Sequence, residues 1–260
     1  MQSLHMHTWR CKHATGTMEE YVLAAIAGGI TDMGFSDHVP LPDAYVYDKK
    51  SIYRVRMNMA ELPVYAAEVR ALAKKHRDAA NIRLGIEMEY VPSQHEEVMR
   101  ALRDVGVEYI ILGQHFLEDG AYYPLNSTDS DRWLCLYTDT LLSAAATGDF
   151  TFAAHPDLIH YTGNNRALYI REMTQLCAGL MEAGMPLEIN LHGLGDGRNY
   201  PDPLFWDIAG EMQAPTVLGV DAHGADEVWN KELVERGREF AAAHHVNLLD
   251  RIPEERMRKV

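Results

Sequence analysis

Short β-rich runs alternate with longer helical segments from one end of the sequence to the other, and this alternation limits the architecture more than any other feature. The runs are SLHMH (3–7), ITDMGFSD (30–37), IRLGIEMEY (82–90), EYIILGQH (108–115), FTFAAH (150–155), PLEINLH (186–192) and TVLGVDAH (216–223). Helical spacing fills 17–28, 58–79, 94–105, 131–147, 165–184, 203–213 and 229–243. Strands alternating with helices, without a linker, imply a parallel sheet covered by helices. Two architectures compete: a closed (β/α) barrel and an open doubly wound sheet. Neither a G-x-G-x-x-G after the first strand nor a P-loop is present. Thr17 with Glu20, and Ser93 with Glu96, have the spacing of helix starts, while Gly28-Gly29, Gly106 and Gly184 close helices. The stretch 39–57 reads as a long loop of the kind that carries function.

With 260 residues, 47% of them hydrophobic, the chain can bury a large core, and residues 1–260 read as a single domain. A formal net charge of −14 argues against binding long nucleic acid, which needs a basic face. It leaves room for an anionic substrate, because bound divalent cations reverse the field of an acidic pocket. Cys11, Cys135 and Cys177 are too few and too scattered for a disulfide framework and fit a reducing compartment. No leader and no long apolar run is seen, so the expectation is a soluble cytoplasmic protein without a membrane partner.

Chemistry gathers at the ends of the strands. His5 and His7 end the first, His38 the second, His115 the fourth and His155 the fifth; Glu87 and Glu89 lie late in the third, and Asp221 and His223 end the seventh. In parallel sheets and barrels the C-terminal edge of the strands holds the active site. Residues i and i+2 of a strand share a face about 6.6 Å apart, so His5 and His7 can converge on one ion. Asp221 and His223 repeat the device and can serve one ion or two neighbours. His13 would fold back from the loop beyond. A single zinc takes about four ligands, so this set suffices for two or three ions, with a carboxylate such as Glu87 as a bridge. Mixed imidazole and carboxylate suits zinc, manganese or iron better than calcium. Asp37, next to His38, reads as a supporting residue, and either Glu87 or Glu89 can ligate.

The ordered set LHMHTWRCKH, FSDHVPLP, GIEMEY, LGQHF, AAHPDLI, LEIN and VDAH resembles the polymerase and histidinol phosphatase (PHP) family, most of all its stand-alone histidinol-phosphatase branch. The resemblance spans Leu4 to about Trp229 and implies a distorted seven-stranded (β/α) barrel with three divalent ions. On that pattern His5, His7, Glu87 and Asp221 hold one ion. Glu87, His115 and His155 hold a second, and His13, His38 and His223 a third. It further implies hydrolysis of a small phosphate ester, L-histidinol phosphate first among them. Asp157, His160 and His192 are the candidate proton donors. Arg198, His192, His160 and Asn190 are the candidate substrate contacts.

The segment INLHGLGDGRNYPDP departs from the family pattern. An arginine usual after the position of Asp157 is replaced in this region by His160. Another, usual after Gly193-Leu194, is absent, although Arg198 lies close by. Arginine grips phosphate bidentately and histidine does not replace it equivalently. The rival readings are a phosphatase or phosphodiesterase for another small ester or nucleotide, an amidohydrolase-type hydrolase, and a non-catalytic metal-stabilised module.

Overall fold

A computed structural model describes residues 1–43, 45 and 55–257. Much of the 39–57 loop, residues 44 and 46–54, lies outside the described residues. Among the described residues the sheet has seven strands, all parallel and in sequential order. They are β1 (Asp32–Phe35), β2 (Asn81–Met88), β3 (Tyr109–Leu112), β4 (Phe152–Ala153), β5 (Leu187–Asn190), β6 (Pro215–Gly219) and β7 (Asn247–Leu248). The connecting helices are α1 (Met18–Ala27), α2 (Leu62–Lys75), α3 (His95–Val105), α4 (Asp131–Thr147), α5 (Arg166–Glu182), α6 (Leu191–Asp196), α7 (Pro203–Glu211) and α8 (Lys231–Ala243).

The seven strands are not the seven expected. Residues 3–7 form no regular strand but make isolated bridges on both sides, Ser3 with Met33 and Met6 with Ala222. Backbone bonds from Gly34 N to Ser3 O (2.8 Å) and from His7 N to Ala222 O (2.9 Å) therefore join the β1 edge to the chain beyond β6. This segment closes the curled sheet into a distorted barrel. The seventh strand proper, β7, follows α8 and pairs with the start of β6.

Two apolar layers hold the barrel. Outside, strand and helix side chains pack together; inside, Leu4, Tyr109, Ile111, Phe152, Val217 and Ile252 fill the lumen. Tyr109 crosses that lumen and donates its hydroxyl proton to Leu4 O at 2.7 Å. The inner layer thus supports the closing segment directly. At the bottom, buried Asp32 collects Gln2 (2.7 Å), Asn81 (2.9 Å), Arg83 (3.1 Å) and Arg251 (2.8 Å).

Helix boundaries follow local chemistry in most places. Thr17 and Glu20 form the expected reciprocal capping box of α1. Gly106 ends α3 in the left-handed region at φ 63°, where glycine is the easy residue. Ser93 and Glu96 do not make the expected cap: α3 begins one residue later, with Gln94 at its N-cap, and Ser93 Oγ accepts from the Gln94 amide instead.

Candidate metal centre

Glu87 is the hub. Its Oε1 lies 3.5 Å from His5 Nε2, 3.4 Å from His115 Nε2 and 3.1 Å from His155 Nε2. Its Oε2 lies 3.5 Å from His7 Nε2 and 3.1 Å from His38 Nδ1. Asp221 Oδ1 completes the floor at 2.9 Å from His7 Nε2 and 3.4 Å from His5 Nε2. His13, His38 and His223 form an adjoining cluster toward the rim. All the sequence-nominated ligands therefore meet at the C-terminal ends of the strands.

The backbone accepts local cost to aim them. His155 and Asp221 sit at φ 30° and 49°, a region that side-chain-bearing residues seldom occupy and that costs about 1–3 kcal/mol. Gly113 leaves room for Glu87, since a Cβ there would collide with its carboxylate.

The electrostatics ask for positive charge. Burial alone would raise the Glu87 and Asp221 carboxyls, yet the surrounding imidazoles hold both well below the usual range. Burial disfavours a charged His7, but Asp221, Asp37 and Glu87 outweigh it and push its pKa up to about 9. His38 goes the other way, down to about 4, because burial and His7 outweigh Glu87. His5 Nε2, Glu87 Oε2 and Asp221 Oδ1 are buried without a hydrogen-bond partner. Orphaned buried atoms of this kind are costly unless something binds them. A divalent cation fits this donor set, and imidazole with carboxylate suits zinc.

A supporting layer fixes the rings. His5 Nδ1 lies 2.8 Å from Glu188 Oε2, and His115 Nδ1 lies 3.1 Å from Glu89 Oε1. A carboxylate on the far ring nitrogen sets the tautomer and leaves the other nitrogen free to ligate. Glu89 is further occupied by Arg56, at 2.9 and 3.0 Å, so Glu87 rather than Glu89 is the free hub. Burial would raise Glu89, but Arg56 and His115 hold it well below the ordinary carboxylate range. Asp37 accepts from Thr8 Oγ1 and from His38 N, a supporting position as expected.

The five expected substrate or acid residues are placed differently from one another. Arg198 and His192 line the cleft above the hub, with Tyr200, Leu158, Tyr123 and Glu227. Arg198 Nη2 donates to His192 Nε2 at 2.6 Å, and Nη1 donates to Tyr200 Oη at 2.9 Å. The Asn190 side chain is buried, donates to Glu188 (2.8 Å) and Asp221 (3.0 Å), and caps α6 through Gly193 N. It braces Glu188 and Asp221 and is not among the residues that line the cleft. Asp157 also lies outside the cleft lining, and burial pushes its carboxyl up to about 7. Its buried Oδ2 accepts from Asp202 N (2.6 Å) and Trp206 Nε1 (2.8 Å), which ties it to the start of α7. His160 lies outside the cleft lining, and its Nδ1 pairs with Ser127 Oγ at 2.9 Å.

Sequence reading passed over Glu188 and Tyr200. In LEIN, Glu188 and Asn190 alternate with apolar neighbours, which puts both on one face of β5. A carboxylate on an otherwise buried strand was the available signal. Tyr200 carried none.

The PHP domain model matches residues 3–192. A "Probable histidinol-phosphatase" of Deinococcus radiodurans is 30% identical over 240 residues, covering 86% of this chain and 86% of its own. The histidinol-phosphatase of Bacillus subtilis is 27% identical over 254 residues, covering 86% of this chain and 94% of its own. Among solved structures, the Lactococcus lactis histidinol phosphate phosphatase, complexed with zinc, L-histidinol and phosphate, superposes with a TM-score of 0.73. It is 18% identical and covers 100% of this chain and 98% of its own. Among the described residues no helix is long and apolar enough to cross a membrane.

Proposed function

The chain belongs to the PHP family, and on that premise we propose that it is a metal-dependent phosphomonoesterase that hydrolyses L-histidinol phosphate to L-histidinol and phosphate. The observation that carries this reading is the buried Glu87 carboxylate, faced by His5, His115 and His155 on one oxygen and by His7 and His38 on the other. Such a carboxylate would hold two ions when they are bound. His13, His38 and His223 offer a third position. The identity of the relatives supports the substrate.

When bound, divalent ions supply hydroxide at neutral pH and offset the negative charge that builds on the phosphoryl oxygens in the transition state. The chain's own residues do the rest. Glu188 and Glu89 fix the His5 and His115 rings. Arg198 grips a phosphate oxygen from the cleft wall, held there by Tyr200 and His192. Of the three nominated proton donors, His192 is the one that lines the cleft, with Nδ1 3.7 Å from Glu227. Tyr123, Leu125 and Leu158 give the organic half of the ester an apolar wall.

The test is steady-state hydrolysis of L-histidinol phosphate by metal-loaded protein beside a panel of phosphomonoesters and bis-(p-nitrophenyl) phosphate. A kcat/KM near ~10⁴ M⁻¹s⁻¹ or above, well ahead of the panel, is the expected result. Weak and indiscriminate turnover would sink histidinol phosphate as the substrate. Diester hydrolysis as fast as that of monoesters would move the protein to the phosphodiesterases.

A further inference from the structure

Arg56 is a fully buried cation that lies apart from every strand, yet it reaches the edge of the centre. Its Nη1 and Nη2 donate to both oxygens of Glu89, at 2.9 and 3.0 Å, and Nη1 also donates to Val39 O at 2.9 Å. The Phe116 ring lies 5.7 Å from its guanidinium carbon. Glu89 Oε1 in turn faces His115 Nδ1 at 3.1 Å, and His115 Nε2 faces the hub, Glu87, at 3.4 Å.

Two things follow from the fork. First, a carboxylate held in place by a guanidinium is a fixed acceptor, so the His115 proton stays on Nδ1 and the Nε2 lone pair stays aimed at the hub. Second, Glu89 has an oxygen close enough to His38 and His115 to make an ion site of its own. With both oxygens taken by Arg56, that competing site is suppressed. A lysine supplies charge but only one point of attachment, so it cannot hold both oxygens in the same way.

We propose that Arg56 is a positioning residue of the metal centre, which sets the tautomer and direction of His115 through Glu89 and keeps Glu89 from acting as a ligand. The inference rests on the reading of the site as a metal centre, and not on the identity of the ester.

The experiment compares wild type with Arg56→Gln and Arg56→Lys. Bound zinc is counted across a chelator-buffered zinc series, alongside thermal melting and kcat and KM for p-nitrophenyl phosphate. Arg56→Gln should remain folded but lose its weakest-held ion at roughly 10–100-fold higher free zinc than wild type. Arg56→Lys should fall between, with kcat reduced more than KM is raised in both. Wild-type zinc affinity in a folded Arg56→Gln, with only a lower melting temperature, would overturn the proposal and leave Arg56 a strut. If Arg56→Gln does not fold, Arg56→Lys decides alone, and an unchanged zinc series again overturns it. The zinc series remains decisive for Arg56 even if wild type hydrolyses no phosphate ester, a result that would sink the phosphatase reading separately. A wild type that binds no zinc would overturn both.

Discussion

His13 and His223 meet nitrogen to nitrogen, their Nε2 atoms 3.0 Å apart, although each ring already donates its Nδ1 proton to a backbone carbonyl. Burial lowers the pKa of both, that of His223 to about 2, so both rings are neutral near pH 7. Two neutral rings of that tautomer point lone pairs at each other. The contact is repulsive by itself and becomes favourable with a cation between them.

Replacing His223 by Ala should therefore cost one ion and not the fold. Metal counting on the purified variant should show one equivalent fewer than wild type, and kcat/KM should fall by at least ~10²-fold, equivalent to about 2.7 kcal/mol of transition-state stabilisation. Wild-type metal content in the variant would refute a site there.

On the proposed function Arg198 holds the phosphate, so Arg198→Ala should raise KM for L-histidinol phosphate by roughly 10–100-fold, the scale of one or two charge-assisted hydrogen bonds. Competitive inhibition by inorganic phosphate should weaken in parallel. A loss confined to kcat, with phosphate inhibition intact, would assign Arg198 to another step.

Asp157 supports α7, and its two replacements should behave differently. Asp157→Asn keeps an acceptor for Asp202 N and Trp206 Nε1 and should retain kcat within a few-fold of wild type. Asp157→Ala strands both donors, and leaving buried donors unpaired costs about 1–3 kcal/mol each. Its melting temperature should fall accordingly. A drop of ~10²-fold or more in kcat for a fully folded Asp157→Asn would instead assign Asp157 the acid role.

Asp32 makes a pH-dependent contribution to stability. Burial would raise its pKa, but Arg83, Gln2 and Arg251 outweigh burial and lower it below the ordinary value of 3.8. The folded state thus favours the ionised form more than the unfolded state does. That contribution is complete above the unfolded pKa and disappears as pH falls through the folded one. Asp32→Asn should lower the melting temperature by several degrees at pH 7, and the gap from wild type should close toward pH 3. An equal gap at both would show that charge is not the cause.

The cluster of candidate ligands was legible in the sequence because strand ends and period-two spacing are local properties. His5-x-His7 and Asp221-x-His223 announce a shared face wherever the strands end up. The supports were less legible, because each depends on a partner far along the chain. Arg56 is unremarkable in YRVRM until Glu89 is found beside it. Asp157 sits two residues past a ligand, but the turn after His155 sends its side chain toward Trp206. The strand count came out at seven for a different set, because β7 has only two residues and carries no alternation. Residues 3–7 have the composition of a strand yet are held by bridges at their two ends.

The bridges of Ser3 to Met33 and of Met6 to Ala222 also order events in time. Synthesis proceeds from N- to C-terminus, so His5 and His7 leave the ribosome long before Asp221 and His223. The nascent chain can stack its early strands and helices, but the stave bearing the first two imidazoles has only one neighbour until residue 222 emerges. Contacts so distant in sequence form late, at a high loop-closure cost. Barrel closure and assembly of the candidate metal site are then the same event, and any ion captured earlier would meet only part of the set.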